Sequence, residues 1–311
     1  MDTKRLEAFL KVVDLGSVTR AANVLNVAQP ALSQQIASLE VEFKKQLLIR
    51  STRGVTPTEA GQILYRYAQM VQRQIEEARR SILDSGATVS GNVTVGLAPL
   101  STASLIAPAL LREVRSRFPG IVLNIFDSFG VTLSEMTLKG RMDMAVLYGD
   151  TPVRGLSYTP LFDEPFYLVA PPAFDIGGGS ETAISVSELA KIDLVLPARE
   201  SYLRQAIERA CSEAGVRARV VAEIHALPTL ATAVLEGMAA TVLPWPIAST
   251  LLVGMKPVIR RIASASASLP MSLGIPDNVA LSDAAFAVYG VLNEQIQTLK
   301  ARWLTDHRES L

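Results

Sequence analysis

Residues 16–36 read GSVTRAANVLNVAQPALSQQI, and the spacing of apolar side chains here decides the fold of the amino-terminal part. Gly16 ends one helix, and Ser17 is placed to N-cap the next, whose inward residues are Val18, Ala21, Ala22 and Leu25. Asn26 and Val27 form a turn. A third helix begins near Gln29 and Pro30, where a proline in the first turn sacrifices no intrahelical hydrogen bond. Leu32, Ile36 and Leu39 fall on its buried side, and Gln29, Ser33, Gln34 and Ser38 on the opposite face. Two helices joined by a tight turn, the second presenting amides and hydroxyls outward, make a helix-turn-helix.

The flanks extend this unit. Upstream, Leu6, Phe9, Leu10 and Val13 form a helical stripe. Downstream, Leu47, Leu48, Ile49 and Val55 flank Arg50, Ser51, Thr52, Arg53 and Gly54, which predicts a two-stranded hairpin with a basic tip, a wing. Residues 58–85 then contain no proline and a single glycine, Gly61, while Ile63, Tyr67, Val71, Ile75, Ala78 and Ile82 recur every three or four residues. This predicts one helix of roughly 40 Å at 1.5 Å per residue. Such a length outruns a wing-sized domain, and Arg66, Arg73, Glu76, Arg79 and Arg80 mark it as solvated, so its apolar seam is expected to meet a partner helix in a dimer.

Gly86, Ser90 and Gly91 loosen the chain into an expected hinge, after which strands and helices alternate. Strands are predicted at 93–97, 121–126, 144–148, 166–170, 194–196, 220–224 and 240–243. Helices are predicted at 105–118, after Ser201, at 227–236 and at 282–305. Alternation of this kind implies a parallel sheet covered by helices. Pro160, Pro165, Pro171 and Pro172 suggest a crossing between two subdomains. The expected division is a winged helix-turn-helix over 1–58, a linker and dimerisation helix over 59–90, and an α/β domain over 91–311. Within the last, one subdomain spans about 91–162 and 268–311 and the other about 163–267. Gly177, Gly178 and Gly179 lack the strand-to-helix setting of a phosphate cradle and read as a surface loop.

The 311 residues carry 30 Lys+Arg against 30 Asp+Glu, so a DNA-binding module must have its positive charge offset elsewhere in the chain. Cys211 is the only cysteine, which excludes an intrachain disulfide and leaves it as a small helix residue. No apolar run approaches the roughly 18 residues of a membrane span, and the amino terminus lacks a signal-peptide pattern, so the cytoplasm is the expected compartment. The only histidines are His225 and His307, no nucleophile-elbow, zinc-protease or P-loop pattern occurs, and no cofactor, metal site or enzymatic activity is expected.

A helix-turn-helix reads DNA by laying the start of its second helix in the major groove. Gln29 and Gln34 suit the paired donor and acceptor of adenine, Ser33 is adaptable, and Pro30 offers an apolar surface to a thymine methyl or a sugar. Arg50 and Arg53 on the wing would reach phosphate or the minor groove, and Thr19 and Arg20 would add backbone contacts.

The run AANVLNVAQPALSQQI at 21–36 resembles the signature of the LysR-type transcriptional regulators, and the likeness continues through 47–61, 140–148 and the crossing at 161–169. Where many members of that family carry Ser or Thr this chain has Ala28, so Asn26 is expected to cap the recognition helix instead. The resemblance implies a two-subdomain, periplasmic-binding-protein-like α/β effector domain with a ligand cleft between the lobes. It also implies operator DNA as partner, a homodimer assembling into a tetramer, and RNA polymerase as a further contact.

Within that frame, Pro99, Leu100, Ser101 and Thr102 stand where a strand end meets a helix start, a setting that holds an anion or simply caps the helix. Ser128 and Tyr148 would face the same opening from neighbouring strand ends, and Tyr202, His225 and Thr229 would approach from the other lobe. Two alternatives stay open: a regulator controlled only by its own abundance, and a solute-binding α/β protein with an unrelated helical amino terminus.

Overall fold

The computed structural model describes residues 2–52, 54–83, 89–149, 153–171, 174, 183–251, 258–277 and 280–308. Expectations placed on Arg53, Gly86, Pro172 and the three glycines at 177–179 lie outside them. The chain forms two compact units, one of residues 1–91 with 138–141, the other of 92–137 with 142–311.

In the first unit, α1 (Thr3–Leu15), α2 (Val18–Val24) and α3 (Gln29–Phe43) are followed by β1 (Leu48–Ser51), β2 (Gly54–Pro57) and α4 (Glu59–Leu83). Asp2 caps α1 by accepting from Arg5 N, and Ser17 caps α2 by accepting from Arg20 N at 3.3 Å. Phe9, Leu32, Ile36, Leu39, Leu47 and Leu48 are sealed in its core. The hairpin is tied to α3 by Glu40, whose Oε1 accepts the Leu47 and Leu48 N–H groups at 2.8 and 3.2 Å.

One expectation is corrected here. The N-cap of α3 is Ala28, with no side-chain cap bond, and Asn26 does not replace it. Asn26 instead adopts a left-handed φ of 54° in the turn, a conformation asparagine accepts more readily than most residues.

Helix α4 spans 25 residues, with Thr58 Oγ1 accepting from Gly61 N at 3.0 Å at its start. It divides into two faces. Leu64, Tyr65 and Ala68 pack on the winged domain, whereas Ile63, Tyr67, Val71 and Ile82 stay 44%, 53%, 37% and 72% exposed. The seam expected to meet a partner is therefore uncovered in the single chain.

The second unit holds β3 (Ser90–Leu97), a 3₁₀ turn (Thr102–Leu105), α5 (Ile106–Arg117), β4 (Gly120–Asp127), α6 (Gly130–Leu138), β5 (Met144–Tyr148) and β6 (Leu156–Ala170). The chain continues through β7 (Ala183–Ile184), α7 (Val186–Leu189), β8 (Asp193–Leu196), α8 (Tyr202–Glu213), β9 (Arg219–Glu223) and α9 (Leu227–Leu235). It ends with β10 (Thr241–Pro244), α10 (Trp245–Leu251), β11 (Val258–Ile262), β12 (Ser268–Pro276) and α11 (Asp283–Arg308). Ser90 and Gly91, expected in a hinge, already belong to β3.

The sheet is mixed, which corrects the expectation of a parallel sheet. Its order is β4-β3-β5-β12-β6-β11-β7 with β10 also on β6, and β8 pairs β9 separately. Pairs β3/β5, β8/β9 and β11/β7 are parallel, but β12 runs antiparallel to β5 and β6, and β10 and β11 antiparallel to β6. The cause is β6, 15 residues long instead of the expected five. Its first part pairs with β12, and its second, from Phe166, pairs with β10 and β11. Strands that cross between lobes reverse direction relative to their neighbours without a covering helix. The core runs from Val93, Val95 and Leu97 through Phe166 and Leu168 to Leu194, Leu196 and Ile207, and buried Cys211 is part of it.

Candidate functional site

Two sets of side chains are candidates for function, one on each unit. On the first, α3 buries Leu32, Ile36 and Leu39, and this fixes which side chains face out. Gln29, Pro30 and Gln34 are exposed and Ser33 is half-buried. Gln29 Nε2 donates to Ser33 Oγ at 3.1 Å, which orders both side chains on one surface. Arg50 is exposed on β1, and Thr19 and Arg20 are exposed at the start of α2. The Arg20 guanidinium donates to the Leu15 carbonyl at the end of α1, where the helix dipole favours a cation.

On the second unit, the candidates separate into a buried group and a more exposed one. Leu100, Ser101, Thr102 and Tyr148 are all buried, at 4%, 0%, 2% and 4% exposure. Leu100 takes a left-handed φ of 55° and inserts among Val169, Leu230, Leu243 and Ile247 of the other lobe. A leucine in that region carries backbone strain of order 1 kcal/mol. Ser101 caps the 3₁₀ turn, its Oγ accepting from Ala103 N at 3.1 Å and donating to the Ala98 carbonyl at 2.7 Å.

The partner of Thr102 and Tyr148 is a residue that sequence reasoning missed, Glu164 on β6. The Thr102 N–H donates to its Oε1 at 2.9 Å, and the Tyr148 hydroxyl donates to its Oε2. Burial pushes the Glu164 carboxyl up to about 7, against the opposing pull of its bonds to Thr102 and Tyr148. Burial, then the adjacent Glu164, likewise raise the Tyr148 hydroxyl well above its ordinary range. A signal existed: Glu164 is in phase with Phe166, Leu168 and Ala170, so period-two alternation turns it inward while Asp163 faces out.

Ser128, Tyr202 and His225 gather about the segment 128–130. Ser128 N donates to the Leu97 carbonyl at 3.4 Å, holding the end of β4 beside the end of β3. Tyr202, first in α8, lies so close to Gly130 that a Cβ there would sit 2.2 Å from its ring. Exposed His225 meets the Phe129 ring edge-on at 5.6 Å between centroids. Thr229 is exposed on the first turn of α9.

Two family descriptions match the chain: "Bacterial regulatory helix-turn-helix protein, lysR family" over residues 3–62 and "LysR substrate binding domain" over 86–297. Among curated relatives, the nitrogen assimilation regulatory protein nac of Escherichia coli is 41% identical over 298 residues, covering 96% of each chain. The Klebsiella aerogenes protein of the same name is 42% identical over 292 residues, covering 94% of each. The stretches 46–65 and 142–149 already resemble this branch in sequence. Among solved structures, a full-length OxyR variant from Pseudomonas aeruginosa superposes with a TM-score of 0.69 at 21% identity, covering 96% of this chain and 95% of that one. Full-length BenM gives 0.57 at 19% identity with 97% of each covered; likeness at these identities concerns the fold. With both parts matched and relatives above 40% identity spanning nearly its whole length, the chain belongs to the LysR family of bacterial transcriptional regulators.

Proposed function

We propose that this regulator reads operator DNA in the cytoplasm by placing the start of α3 in the major groove. In this reading Gln29, Ser33 and Gln34 meet base edges, Pro30 meets a methyl or sugar, and Thr19, Arg20, Arg50 and Arg53 contact the backbone. The observation that carries it is the split of α3, with Leu32, Ile36 and Leu39 fully buried and both glutamines exposed on the other face. Segments 1–58, 59–90 and 91–311 then act as reading head, dimerisation linker and sensing domain. The uncovered seam of α4 supports dimerisation, and two dimers on adjacent half-sites make the tetramer that meets RNA polymerase. No catalytic step belongs to this function.

Fluorescence anisotropy on operator and scrambled duplexes tests it. Gln29→Ala with Gln34→Ala is expected to cost roughly 1–3 kcal/mol per lost base contact on operator only. Arg50→Ala is expected to weaken both duplexes alike and to reduce the salt slope by about 1. Variants that bind both duplexes as wild type does would refute the assignment.

The sensing domain is proposed to respond to a small molecule at the mouth lined by Ser128, Tyr202, His225 and Thr229. Its binding must differ between two arrangements of the domain to shift their populations. A second reading, control by abundance alone, is favoured by the burial of Ser101 and Thr102, whose polar groups are engaged within the protein. Calorimetry against a metabolite panel, paired with DNA footprinting, separates the two.

A further inference from the structure

Glu164 stands on β6 at the step where the strand leaves β12 and begins to pair with β10, and it is 3% exposed. Its two carboxyl oxygens are met from two directions, by the backbone N–H of Thr102 just beyond β3 and by the hydroxyl of Tyr148 at the end of β5. Those are donors of the kind that hold a small carboxylate at a strand end, aimed here at a side chain of the protein itself. The cavity remaining beside Glu164, lined also by Thr102, Phe162, Pro246 and Lys300, measures about 10 Å³. That is room for at most one water molecule.

We propose that Glu164 is a resident ligand, its carboxyl filling the place that an acidic effector would occupy between the 102 turn and Tyr148, so that this sensing domain refuses free carboxylates there. The inference rests on the assignment of the 100–102 turn to the sensing site. It confines acidic effectors to the outer mouth and directs the search for inducers toward neutral or cationic molecules.

Excision of the side chain tests the proposal. In Glu164→Ala the Thr102 N–H and the Tyr148 hydroxyl lose their acceptor, and a space the size of a small carboxylate opens. Thermal melts of the full-length protein at pH 7 compare sodium acetate with sodium chloride, each at 100 mM. Acetate is expected to raise the melting temperature of the variant by roughly 2–4 °C over chloride and to leave wild type unchanged. A wild type that gains as much as the variant, or a variant that gains nothing, overturns the proposal.

Should Glu164→Ala be recovered only unfolded, Glu164→Gln decides. It fills the same space, so it is expected to fold and to ignore acetate, and a glutamine variant stabilised by acetate places the anion elsewhere and overturns the proposal. Operator binding in chloride is measured alongside. Its loss in wild type would refute the regulatory function without altering the acetate result.

Discussion

Glu164→Gln tests the energetics of the buried carboxyl directly. The folded-state value of about 7 lies above the ordinary 4.5, because burial disfavours the ion more than the hydrogen bonds from Thr102 and Tyr148 stabilise it. A group raised on folding contributes stability that is fully present below its unfolded value and is lost as pH rises through its folded value. Between pH 4.5 and about 7 the folded chain binds more protons than the unfolded one, so stability falls with pH across that window. At about 1.4 kcal/mol per unit the accumulated loss is about 3 kcal/mol, complete once pH exceeds the folded value. Of the groups bonded to Glu164, the Tyr148 hydroxyl on β5 is held well above the window by burial and then by Glu164, and the Thr102 backbone N–H and side chain do not titrate there.

Glutamine keeps the shape and an acceptor for Thr102 without ionising. Urea unfolding followed by circular dichroism at pH 5, 6, 7 and 8 is expected to show wild type and variant close at pH 5. By pH 8 the variant should lead by about 3 kcal/mol, equivalent to roughly 6–12 °C in melting temperature. A gap that stays constant with pH, or a wild type that gains stability as pH rises, would refute the dominance of burial over hydrogen bonding at this carboxyl.

Two further outcomes follow from packing. Tyr67→Glu with Val71→Glu places charge on the uncovered seam of α4, away from the core of the winged domain. Light scattering behind gel filtration should then report a smaller mass for the variant than for wild type, which is expected to be a dimer or a dimer of dimers, and an unchanged mass would remove α4 from the interface. Leu100→Ala empties a site among Val169, Leu230 and Leu243 and should cost about 2–5 kcal/mol in urea unfolding. Leu100→Gly should be more stable than Leu100→Ala by about 1 kcal/mol, because the left-handed φ of 55° suits glycine. The reverse order would show that the backbone at 100 relaxes in the alanine variant.

The amino-terminal unit was legible because local chemistry and burial agree. Ser17 caps where a cap was expected, and Leu32, Ile36 and Leu39 fall at helical spacing and are all buried. Ala28 shows the limit of that logic. Its position is capped by no side chain, while Asn26, the polar residue two positions before it, takes the left-handed conformation of the turn instead, so burial of α3 and Pro30 in its first turn set the helix start. In the α/β unit each strand's existence is a local property, but its partner is not. Residues 156–165 carry Pro160 and Pro165 and read as a crossing, yet they form one strand with 166–170 because β12, over 100 residues later, supplies their ladder.

The same non-locality hid the site. Ser101, Thr102 and Tyr148 are recognisable from strand ends, and the structure brings all three together, but what they hold is chosen by β6. Helix starts and hydroxyls supply hydrogen-bond donors for a carboxyl group, and sequence alone assigns that place to a ligand by default. Only the register of β6 against β12 and β10, which sets Glu164 opposite Leu269 and Phe166 opposite Pro244, shows that the carboxyl is supplied from within. A one-residue slip of that strand would turn Asp163 inward instead, with a side chain one methylene shorter. What the 102 turn and Tyr148 hold is therefore a property of strand register as much as of residue type, and its determinant lies outside the turn that a motif search would inspect.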